Sequence, residues 1–84
     1  MSANREFQRT DDEIVSLLSQ WLMRQLGNDE LRKRIEALDT YDLAPGQRAA
    51  VDELMTALAS AFPGETGGLE MVVRETIEAL AYGE

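Results

Sequence analysis

Apolar residues recur every three or four positions in four separate stretches of this 84-residue chain, and in no run do they alternate with polar ones. A period near 3.6 places such residues on one face of a helix, whereas strands need a period of two. The pattern predicts an all-α fold: a compact, four-helix bundle-like single domain with links of two to six residues. Residues 1–9 are expected to form a flexible N-terminal tail carrying Phe7, and residues 10–84 the four-helix domain.

The first helix should open at Thr10-Asp11-Asp12-Glu13, which has the spacing of a capping box. Its three acids also suit the positive end of the helix dipole. It should run to Leu26 and stop at Gly27. Ile14, Val15, Leu17, Leu18, Trp21, Leu22 and Leu26 span about half its circumference, wider than the ~100° stripe of a simple surface helix. This helix is therefore expected to pack against two neighbours. The second should be capped by Asn28 or Asp29 and run to about Thr40, burying Leu31, Ile35 and Leu38. The third should begin near Asp42 or Pro45 and extend to about Phe62, where Pro63-Gly64 ends it. Its inner face reads Ala50, Val51, Leu54, Met55, Leu58, Ala61 and Phe62. The fourth should open between Thr66 and Gly68 and close at Tyr82 before Gly83, burying Leu69, Val72, Val73, Thr76, Ile77 and Leu80.

What such a fold could do is bounded by what the chain lacks. It has no histidine, no cysteine and one lysine, Lys33. Most side-chain acid–base, nucleophilic and transition-metal chemistry at neutral pH draws on imidazole or thiolate groups. Neither a disulfide nor a His- or Cys-ligated zinc can supplement a core this small, which leaves association as the remaining aid. No catalytic, cofactor-binding or metal-binding residue is assigned, and no cofactor or small-molecule substrate is implied. The net charge of −8 opposes binding to the nucleic-acid backbone and to anionic membranes. Residues 1–42 carry a net −3 and residues 43–84 a net −5. No apolar run reaches the ~20 residues of a membrane span, and the polar N-terminus has no apolar signal-peptide core. A cytoplasmic location is the simplest expectation.

Three local features invite chemistry and read more simply as structure. Asp39 and Asp42 flank Tyr41, but the order of ligands and glycine does not fit a calcium loop. The turn Pro63-Gly64-Glu65-Thr66-Gly67-Gly68 could offer N–H groups to a phosphate, yet no lysine follows and Glu65 would repel it. Arg32-Lys33-Arg34, with Arg24 nearby, could suggest a DNA-reading helix, but local pairing such as Arg32 with Glu36 is the simpler role. Size, acidity and helix count are similar to those of acyl carrier proteins. The Asp-Ser-Leu motif of that family is missing around Ser2, Ser16, Ser19 and Ser60. Small acidic immunity proteins are similar in size and charge, again with no shared motif.

The residual signal is apolar groups on the wrong face. Met23 should point away from the stripe of the first helix. Met71 and Tyr82 should share a line with Glu75 and Glu78 on the outside of the fourth. Methionine and tyrosine are both common at protein interfaces. The expected function is a small, acidic, non-catalytic protein–protein interaction module, self-associating as a homodimer through Met23, Met71, Glu75, Glu78 and Tyr82. The alternative is an inhibitor, or masking protein of immunity type, covering a basic surface on a toxin or a DNA-binding protein. DNA binding through the second helix is the remaining option.

Overall fold

The computed structural model describes residues 10–62 and 65–83. The expected tail at residues 1–9 and the expected stop at Pro63-Gly64 lie outside these. The described residues form an all-α domain of four helices without strands. The helices are α1 (Thr10–Leu22), α2 (Asn28–Glu36), α3 (Pro45–Ser60) and α4 (Gly67–Tyr82), with a single 3-10 turn at Thr40–Asp42 between α2 and α3.

The stripes read from the sequence form the core. Ile14, Leu18 and Trp21 from α1 meet Leu31 and Ile35, Val51, Leu54 and Leu58, and Leu69, Val73 and Leu80. Leu43, in the link before α3, is also buried and was not foreseen. Each fully buried side chain of this kind contributes about 1.5–3 kcal/mol by leaving water. The principal packing pairs among the described residues are α1–α2, α2–α3, α3–α4 and α4–α1, so α1 does have two neighbours. Its wide arc divides accordingly: the centre is buried, Val15, Leu17 and Leu22 are half-buried at the edges, and Leu26 is half-buried in the link beyond the helix.

Hydrogen bonds between helix ends fix the directions. At one end Gln47, in the first turn of α3, donates to the Leu80 carbonyl of α4 (2.8 Å) and to Asp11 Oδ2 of α1 (3.3 Å). Thr10 Oγ1 donates to Asp42 Oδ2 (3.4 Å) at that same end. At the other end Trp21 Nε1 donates to Asn28 Oδ1 (2.7 Å), and Asn28 Nδ2 donates to the carbonyl of Glu65 (2.9 Å), just before α4. The start of α1 therefore lies with the start of α3 and the end of α4. The end of α1 lies with the starts of α2 and α4. The helices run up, down, up and down.

Several boundaries differ from the sequence reading. α1 ends at Leu22 rather than Leu26, because Arg24 adopts the left-handed conformation (φ 65°). Its N–H bonds the Trp21 carbonyl (3.0 Å) while that of Gln25 bonds the Gln20 carbonyl (2.8 Å). This is a Schellman closure with arginine where glycine is usual. Gly27 is released to serve as the extended N-cap of α2 (φ −84°, ψ 174°), a role expected of Asn28 or Asp29. α2 stops at Glu36 and α3 at Ser60, each shorter than expected. The link from α2 to α3 is correspondingly longer than six residues and contains the 3-10 turn. Phe62, expected in the core, is 78% exposed, and Ala50, Met55 and Ala61 are only half-buried. The chain leaves helical geometry before Phe62, so that side chain no longer shares the inner face of α3. Thr10 and Glu13 do not form the expected reciprocal cap among the described residues. The first-turn acceptor is Asp11 Oδ1, bonded to the Asp12 N–H (2.8 Å).

Candidate interaction surface

The inner row of α4 is Leu69, Val73, Thr76 and Leu80, all buried. Met71, Glu75, Glu78 and Tyr82 lie half a turn away and are all exposed, Met71 by 67% and Tyr82 by 75%. Their 4–3–4 spacing aligns them in one row about 16 Å long, at ~1.5 Å per residue. The helix is held in this rotation by the burial of that inner row and by the bond that Gln47 of α3 donates to the Leu80 carbonyl (2.8 Å). At its C-terminus Gly83 (φ 84°) is left-handed and its N–H bonds the Ala79 carbonyl (3.2 Å).

Four of the five residues singled out from the sequence therefore share one outward face. The fifth, Met23, is 63% exposed and sits in the turn after α1, at the same end of the bundle as Met71 but outside its row. Two further exposed aromatics were missed. Tyr41 is 83% exposed in the 3-10 turn, with the Arg48 guanidinium 5.8 Å from its ring centre. Phe62 is the other. A signal for it was present, because a residue preceding proline is disfavoured in the α region.

The charges of this face are unbalanced. The ion pairs among the described residues are Arg32–Glu36 (3.3 Å) and Glu30–Arg34 (2.8 Å), both within α2. The Arg32–Glu36 pair is the one expected from spacing, and together the two pairs occupy two of the three consecutive cations of α2. On the outer face of α4 the single cation is Arg74, beside Glu75 and Glu78.

Other recesses add little chemistry. A hollow of about 330 Å³ between the end of α1 and the start of α4 is lined by Leu22, Arg24, Thr66 and Glu70 among others. Its carboxylate opposes an anion at the α4 N-terminus. No group of three or more carboxylates among the described residues is placed to hold a metal ion, and no described helix is long and apolar enough to cross a membrane. No protein-family model matches this chain, and neither a curated protein nor a solved structure does.

Proposed function

We propose that this chain is a non-catalytic protein–protein interaction module that engages a protein partner through the outward face of α4. The supporting observation is the row Met71-Glu75-Glu78-Tyr82, two large apolar groups held in water on a helix whose opposite side already fills the core. Leaving such groups exposed gains nothing for folding. Tyrosine and methionine are enriched where proteins meet.

Masking of a basic surface is the mode this row favours, because its two central positions are carboxylates. Self-association is the second reading, favoured by the symmetry of the row, which sets an apolar group at each end. Capture from lysate with the wild type and with Met71→Glu/Tyr82→Glu tests the module. The variant should retain its helicity and lose proteins that the wild type holds. Identical captured sets would remove α4 from the contact. Capture that fades with salt marks the masking mode, since exposed charge attraction is screened.

A further inference from the structure

The 4–3–4 spacing of Met71, Glu75, Glu78 and Tyr82 is that of alternating d and a positions in a heptad, the spacing by which one helix lies along another. The outer two layers of this seam are apolar and the inner two are carboxylates. The spacing reads the same in both directions, so the layer order holds for a parallel or an antiparallel companion.

A second copy of this chain fits the outer layers and fails the inner ones. Antiparallel pairing sets Glu75 against Glu78 of the copy twice, and parallel pairing sets each glutamate against itself. Like charges pressed together and stripped of water are costly in either arrangement. Arg74 lies beside the row rather than in it, and it is the single cation that this face offers.

We infer that the occupant of this face is a cationic amphipathic helix of another protein, carrying two basic residues three positions apart between apolar residues eleven positions apart. Lysine or arginine at the inner layers pairs with Glu75 and Glu78, while its methylene stem covers the apolar surface around them. The apolar ends seat on Met71 and Tyr82. Methionine adapts its shape to the incoming group. The net charge of −8 draws such a helix in and speeds encounter. This inference rests on the reading of α4 as a contact face.

The test uses the whole chain and two synthetic helical peptides of identical composition. One carries leucine, lysine, lysine and leucine in a single 4–3–4 row. The other has its lysines moved to the opposite face. Calorimetric titration should show the row peptide binding about tenfold tighter or better, a difference of about 1.4 kcal/mol. Glu75→Gln/Glu78→Gln should erase that preference, and Met71→Ala/Tyr82→Ala should weaken binding of the row peptide. Equal binding of both peptides would overturn the inference, as nonspecific attraction. Sedimentation of the chain alone separates the remaining outcomes. A dimer at neutral pH that Met71→Glu/Tyr82→Glu abolishes would overturn the cationic partner and leave α4 as a contact face. A monomer that binds neither peptide would overturn the cationic helix, and identical captured sets for the wild type and Met71→Glu/Tyr82→Glu would overturn α4 as a contact face as well.

Discussion

Gln47 divides its amide among three elements. Its oxygen accepts from the Ala44 N–H (2.9 Å), and its nitrogen donates to the Leu80 carbonyl and to Asp11. Buried amides of this kind are worth little while satisfied and are costly to break. Gln47→Ala leaves a buried carbonyl and a largely buried carboxylate short of a donor. The expected loss is about 1–3 kcal/mol, which a thermal melt would show as a drop of several degrees; an unchanged melt would show that water replaces the amide. Nothing in the sequence marks this residue. A glutamine in the first turn of a helix reads as solvent-facing, and Asp11 reads as a charge placed for the dipole. Asn28 was legible as belonging to a helix start, but its side chain is committed to Trp21 and Glu65 rather than to a cap. Side-chain hydrogen bonds across 33 or 36 positions depend on how helices meet, and no local pattern encodes that.

The helices themselves were legible because burial imposes a period on the chain. The positions that the period puts at the centre of each stripe, such as Leu18, Ile35, Leu54 and Val73, are the buried ones. The ends were less so. Gly27 looked like the stop of α1, yet Arg24 takes the left-handed position three residues earlier. A side chain there costs roughly 1–2 kcal/mol that glycine avoids. Arg24→Gly should therefore stabilise the chain by about 0.5–1 kcal/mol, once the added freedom of the unfolded glycine is subtracted. A lower midpoint in denaturant would mean the arginine side chain makes a compensating contact. The start of α3 carries a second correctable defect. Ala44 occupies the N-cap, and Gln47 supplies half of a capping box, but alanine has no oxygen for the other half. Ala44→Ser should add about 0.5–1 kcal/mol, read as a higher unfolding midpoint with unchanged helicity.

Across the whole molecule, these two sites lie at opposite ends, one beside the Trp21–Asn28 bond and one beside Gln47. Distant sites without shared partners add within about 0.3–0.5 kcal/mol when a domain unfolds as one unit. The Arg24→Gly/Ala44→Ser double variant should gain the sum of the single effects, with one coincident transition by fluorescence of Trp21 and by circular dichroism. Separate transitions would show that the ends open independently. The outward row of α4 was legible for the same reason as the core, since a residue half a turn from a buried stripe must face water. Phe62 and Tyr41 escaped because they belong to segments outside the helical repeat. The order of packing has one more consequence. Three of the four principal helix pairs among the described residues join neighbours along the chain, and the fourth, α4 with α1, closes the longest loop. Such local wiring places few entropic obstacles before collapse, so the chain should reach its native state in microseconds to milliseconds. The docking of the last helix on the first would then set the pace.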